Sequence, residues 1–200
     1  MASLVLAEST GRDVPEVDLR KVTHPYTCHS DQNTGWTGAD DEAGGGRATG
    51  GSRLIVQLYT IGFSKKSART FFGLLRESGA TGLVDVRLNN VSQLAGFAKR
   101  DDLEYFLKEL CGMGYIHVTD LAPTQPMLDE LRKRKGDWAT YEETFLALMR
   151  ERRIEQTLDP ILLDNTVLLC SEEKPHHCHR RLVAEYLAEH WTDVAISHLG

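Results

Sequence analysis

The chain has 200 residues, 41% of them apolar, three tryptophans and a formal charge of −6, which is enough for one ordinary globular domain with a tail and too little for a second full domain. No run approaches eighteen apolar residues, and the opening MASLVLAESTGRD has neither the basic start nor the apolar length of a secretory signal, so the expectation is a cytoplasmic protein with no membrane partner. Four cysteines, at 28, 111, 170 and 178, are too few and too irregularly spaced for a disulfide scaffold, which leaves them as reduced thiols.

Residues 1–52 carry 8 acidic and 4 basic side chains and 8 of the 17 glycines. Their segment DQNTGWTGADDEAGGGRATGGS has no apolar periodicity that could form a packing face, so residues 1–52 are expected to be a disordered N-terminal arm ahead of a single domain, 53–200. The lone Cys28 in TCHSD reads as incidental. The remaining 21 acidic and 19 basic residues nearly cancel, so bulk charge announces no duplex-wrapping surface. The run Arg132, Lys133, Arg134, Lys135 reads first as a solvated helix end, where cations suit the macrodipole, and second as a local basic patch.

From Arg53 the pattern changes. LIVQLYTIG is a short apolar run rich in β-formers that ends at Gly62, a buried strand and then a turn. Ser64 is placed to cap the next helix, in which Ala68, Phe71, Phe72 and Leu75 recur at helical spacing before Gly79 closes it. LVDV, 83–86, is the second strand. Leu103, Phe106, Leu107 and Leu110 mark a second helix that stops near Gly112 and Gly114, and YIHV is the third strand. A longer helical connection follows, through PTQPMLDELRKRK and DWATYEETFLALMRERR, where Trp138, Tyr141, Phe145 and Leu148 share a face and read as core. TVLLC, 166–170, is the fourth strand, a helix runs from about Cys178 to His190, and VAISHL is the fifth strand. Strands alternating with helices predict a three-layer α/β domain, with a mostly parallel sheet of about five strands flanked by helices.

In such sheets ligands sit beyond the carboxyl ends of the strands, and the chemically interesting residues fall there. Strand one delivers Thr60, Gly62 and Ser64. Strand two delivers Asp85 and Arg87, then Asn89, Asn90, Ser92 and Gln93, whose amides and hydroxyl offer donors and acceptors to a base or sugar edge. Asp85 and Arg87 lie two apart on one side of their strand, so they form an internal ion pair, orient a guanidinium toward an anion, or both.

Strand four delivers CSEEKPHHCHRR, residues 170–181, with two cysteines, three histidines and two arginines. Cys170 ends a buried strand and reads as a small apolar filler that borders the site. Cys178 stands near a helix start, where unpaired amides, His179 and Arg180 would favour a thiolate, so it is expected to be the most acidic thiol. The same geometry would bind an anion, with Arg87 and Arg180 expected to share one pocket. Zinc is a competing reading, because Cys170, His176 or His177, Cys178 and His179 are suitable ligand types. Their spacing argues against it, since neighbouring Cys178 and His179 do not easily point at one ion. The plainest alternative leaves the histidines as exposed loop residues.

YTIGFS, then VDVR, then a strand ending in LLCSEEKPHHCHR with a helix running directly on, resembles the bacterial and archaeal domain-of-unknown-function family 488, over Leu54 to the C-terminus. The resemblance implies an α/β fold and leaves the activity unassigned. After VDVR the chain reads LNNVSQLAGFAKRDD, where many relatives carry proline and arginine. A weaker likeness connects the DVR strand and the later strand ending in cysteine to rhodanese-type sulfurtransferases. The leading functional expectation is an enzyme acting on a phosphate-bearing or nucleotide-like anion. Cys178, His179 and Asp85 would be its catalytic groups, and Arg87, Arg180, Asn89, Asn90, Ser92, Gln93, Gly62, Ser64 and Cys170 would be its binding groups. No cofactor is called for. A non-catalytic nucleic-acid- or protein-binding module and a metal-binding domain are the competing classes, and nothing in the sequence identifies a protein partner.

Overall fold

The computed structural model describes residues 55–91, 95–133 and 137–200. The expected arm, residues 1–52, and with it Arg53, Ser92, Gln93, Arg134 and Lys135, lie outside the described residues. The elements run β1 (Val56–Gly62), α1 (Ala68–Ser78), β2 (Gly82–Asp85), α2 (Arg100–Phe106), β3 (Gly114–His117), α3 (Gln125–Lys133), α4 (Trp138–Glu151), α5 (Ile154–Thr157), α6 (Pro160–Leu163), β4 (Thr166–Cys170), α7 (His179–His190) and β5 (Val194–Leu199). All five strands form one sheet, in the order β3-β2-β4-β1-β5, and every pairing is parallel. The expected α/β class therefore holds, and the sheet is wholly rather than mostly parallel.

Sequence alternation assigns the two faces. Ile61, Leu83, Val167 and Leu169 point to one side, where they meet Phe71, Phe72 and Leu75 of α1 and Leu103 and Leu107 of the second helical segment. The other side is covered by α7, which rests on β1, β4 and β5, and by α4 against α7. α7 buries Leu182, Val183, Tyr186 and Leu187, while α4 buries Tyr141, Phe145 and Met149 at every fourth position. β4, at the centre, is buried along its whole length, which is why TVLLC reads as an unbroken apolar run.

Several boundaries differ from the expectation. Helix α1 is capped by Ser67, whose hydroxyl accepts from the Thr70 amide, and not by Ser64. The residues between are spent on a turn: the Lys66 amide donates to the Phe63 carbonyl, and Lys65 takes a left-handed φ of 60°. After Phe106 the second helix widens into a π-helical turn, Leu107–Cys111, ended by Gly112 at φ 64°. That widening carries Leu110 out to solvent, 51% exposed, off the face it was expected to share. On α4 the third buried position is Met149 rather than Leu148, and the link to β4 holds two short helices that no periodicity announced.

The topology has one consequence for function. β4 lies between β1 and β2, whose following helices, α1 and α2, cover one face, whereas α7, which follows β4, covers the other. The chain thus diverges on both sides of the β4 carboxyl end, the position at which open α/β sheets leave a crevice. Cys170 occupies that end.

Candidate functional site

Two buried clusters meet beyond the strand ends. The first is built on β2 and β3. Asp85 Oδ1 accepts from the Arg87 amide at 3.1 Å and from Arg87 Nε at 2.7 Å, and Oδ2 accepts from Arg87 Nη2 at 2.5 Å and from the Tyr115 hydroxyl at 2.8 Å. Asn90 Nδ2 donates to that hydroxyl at 3.1 Å, and His117 Nε2 bonds the Arg87 carbonyl at 2.7 Å. Arg87 is only 4% exposed and sits over the Phe63 ring, 5.3 Å from its centroid. Burial alone would lower the Arg87 pKa, but its bonds to Asp85 more than offset this and hold it above the ordinary value. The planar fork is thereby fixed in one orientation.

The second cluster is built on β4 and α7. His179 Nε2 lies 2.9 Å from the Val86 carbonyl oxygen, and its Nδ1 lies 3.6 Å from Cys170 Sγ. A carbonyl only accepts, so Nε2 carries a proton and Nδ1 is the atom that faces the thiol. Burial pushes His179 down, yet the Cys170 charge and hydrogen bond leave it above the ordinary histidine value. Arg180, 1% exposed, gives Nη1 to the Glu172 carbonyl at 2.8 Å and to Cys178 Sγ at 3.0 Å, and Nη2 to the Glu173 carbonyl at 3.2 Å. Its Nε is buried without a hydrogen-bond partner.

The two thiols share one charge. A hydrogen bond from Cys178 holds Cys170 well below the ordinary thiol range, against its burial and with help from His179 and the Glu172 amide. Cys178 goes the other way: burial, then the bond to Cys170 and the Cys170 charge, push it up, and the pull of Arg180 on its sulfur does not reverse that. These directions run against the expectation that Cys178 is the most acidic thiol and favour Cys170. The reason is partnership, since both sulfurs are buried but His179 Nδ1 faces Cys170. Cys178 is itself the extended N-cap residue of α7 and only 1% exposed, so the helix-start effect is outweighed by desolvation and by a negative neighbour.

A cavity of ≈ 580 Å³ opens over both clusters and is lined by Arg87, Asn89, Cys170, Cys178 and His179, with Trp138 and Tyr141 on its wall. Of the expected site residues, these first five meet there. Asp85 and Asn90 stand behind Arg87 rather than in the lining. Arg180 is turned away, into the loop carbonyls, so it does not form one open clamp with Arg87 as expected. Gly62 leaves room for the same loop, because a Cβ there would fall 1.6 Å from the Glu172 carbonyl oxygen. Ser64 gives its amide to the Ser171 carbonyl at 3.0 Å. Ser92 and Gln93 lie outside the described residues. Tyr115 and His117 were missed, although their alternation with Ile116 and Val118 at a carboxyl edge was a usable signal. His176 and His177 are exposed, their rings tilted at 33° with centroids 4.4 Å apart, and His177 lies against Trp138 in the same tilted way at 5.2 Å.

The ligand atoms of Cys170, Cys178 and His179 lie within 4.8 Å of one another. Adjacency of Cys178 and His179 is therefore no obstacle to a shared focus, since one is extended and the next begins the helix. The donor set suits a thiophilic ion. The surroundings do not, because Arg180 already donates to one of the sulfurs and Arg87 gains from the Cys170 charge.

A family model described as Domain of unknown function DUF488 matches residues 67–187. The chain belongs to the DUF488 family. The match takes in VDVR and the whole Cys170–Arg181 loop, and leaves out β1 with YTIGFS, and β5. No curated protein and no solved structure matches the chain, and the likeness to rhodanese-type domains is not shown. This DUF488 domain thus has a wholly parallel sheet and a buried Cys/His cluster at the carboxyl end of its central strand. Among the described residues no helix is long and apolar enough to cross a membrane.

Proposed function

We propose that this DUF488 protein is a cysteine-dependent enzyme acting on an anionic substrate in the cavity over β4. Cys170 is the nucleophile, His179 moves its proton, and Arg87 meets the negative group. The observation that carries this reading is the 3.6 Å approach of His179 Nδ1 to Cys170 Sγ, with Nε2 fastened to the Val86 carbonyl. A nucleophile, a base within reach and a third group that sets the base's tautomer are the parts that covalent catalysis needs. Asp85 acts through Arg87, because the four hydrogen bonds its carboxylate accepts come from Arg87 and Tyr115. The phosphate-bearing or nucleotide-like character of the substrate rests on the fixed guanidinium beside an aromatic wall. A pure binding module is less well supported, since the reactive groups face inward onto buried thiols rather than outward on a basic face.

The test is the alkylation rate of each cysteine as a function of pH, read on peptides by mass spectrometry. Cys170 is expected to react with a midpoint below 9.0. Its thiolate therefore persists as pH falls toward neutrality, while Cys111, which burial pushes up, goes quiet. His179→Ala is expected to move the Cys170 midpoint upward. Equal rates at Cys170 and Cys111 near neutral pH would overturn the nucleophile assignment. Acceleration only after a chelator is added would transfer the cluster to a metal. Inorganic phosphate is expected to raise the wild-type Tm by mass action, and the absence of any shift would remove the anion from the proposal.

A further inference from the structure

We infer that Cys170 and Cys178 form a redox-active pair, which a hydroperoxide converts to an intramolecular disulfide and an external dithiol restores. This rests on the reading of Cys170 as the nucleophile and adds a second chemistry at the same sulfur. The two sulfur atoms belong to a cluster whose ligand atoms all lie within 4.8 Å of one another, and both side chains are buried. Both line a cavity large enough for a small peroxide. A disulfide needs the sulfurs at about 2.05 Å, so they must close further. The residues that must yield are 171–177, which contain no helix or strand. The strand below Cys170 and the helix above Cys178 can stay in place.

The protons and electrons balance. The Cys170 sulfur attacks one peroxide oxygen, the O–O bond breaks, and the departing alkoxide takes a proton from the protonated His179, leaving Cys170 as a sulfenic acid. The Cys178 proton passes to His179, its sulfur attacks the Cys170 sulfur, and the S–O bond breaks. The hydroxide leaves as water with that same proton. One thiolate, one thiol, one hydroperoxide and one proton thus give a disulfide, an alcohol and a water; the sulfurs lose two electrons and the peroxide gains them. Arg180 supports the second step and its reversal, because its Nη1 lies 3.0 Å from Cys178 Sγ and steadies the charge that forms there.

The pair is tested on the full chain by exposing the reduced protein to hydrogen peroxide, alkylating what remains and mapping the peptides. The expected result is loss of alkylation at Cys170 and Cys178 together, a linked fragment lighter by two hydrogens, Cys111 still alkylated, and full recovery with dithiothreitol. In Cys178→Ser the expected product is a Cys170 sulfenic acid trapped by dimedone. The wild-type map decides even if that variant fails to fold. A dimedone adduct on Cys170 with Cys178 still free, or a bridge to Cys28 or Cys111 instead, would overturn the pair. Fast alkylation of Cys170 in the reduced protein with no thiol lost to peroxide would overturn this inference alone. Slow alkylation there would take the nucleophile reading down with it.

Discussion

At the scale of residues, the site depends on charges that cancel locally. Asp85 answers Arg87, and the Cys170 sulfur faces His179, while the Arg180 guanidinium is bonded to Cys178 Sγ and to loop carbonyls. Buried charges persist only when matched in this way. Gly62 is the steric counterpart of that arrangement, because it lets the Glu172 carbonyl reach both the end of β1 and Arg180. Gly62→Ala is expected to cost at least about 1–3 kcal/mol, the usual range for forcing atoms into a filled space. Gly73 in α1 supplies the control: a Cβ there meets nothing within 4 Å, so Gly73→Ala is expected to stabilise by about 1 kcal/mol through helix propensity. Urea denaturation of both variants checks the contrast, and equal effects would mean that the loop does not rest on Gly62.

At the scale of elements, strands were the most readable features, since a parallel strand buried on both faces must be a continuous apolar run. TVLLC was read with its observed bounds, whereas LVDV, 83–86, found the strand one residue late, because the buried Asp85 interrupts the apolar run of Gly82–Asp85. Helix ends were less readable, because SKKS offers two serines with the same capping chemistry. Only the turn at Phe63–Lys66 decides between them, and it depends on the left-handed Lys65. Ser67→Ala is expected to cost about 1 kcal/mol and Ser64→Ala under about 0.5 kcal/mol, a difference that thermal unfolding of the two variants resolves. The same limit applied at the site. The sequence placed Cys170 and Cys178 in one loop, but which of them is acidic turns on which sulfur His179 Nδ1 faces, and that is not written locally. The π-helical turn that displaces Leu110 leaves no mark in a pattern read at the α-helical period.

At the scale of the whole molecule, alternation of strands and helices was enough to reach an α/β sheet, and strand order was not, since pairing across the sheet is a long-range property. Residues 1–52 remain a composition argument. With 8 glycines and no apolar periodicity they are proposed to add nothing to the fold, so a chain beginning at Arg53 is expected to unfold at the same midpoint as the full one. A loss of several degrees in a thermal scan would show that the segment packs on the domain.

The place of β4 between β1 and β2 also sets a timetable for synthesis. Leu58 of β1 pairs with Thr166 of β4 and Ile196 of β5, so both neighbours of the first strand leave the ribosome long after it does. At ordinary translation speeds the interval before Thr166 is made is about 5–20 s. β2 and β3 can pair with each other during that time, whereas β1 has only the rest of the unfinished chain against which to cover Leu58 and Ile61. The nascent protein therefore presents an uncovered apolar strand until its last 35 residues begin to emerge, and the arrival of TVLLC, which ends in Cys170, joins β1 to the β2–β3 pair and lays the floor of the site before β5 completes the sheet.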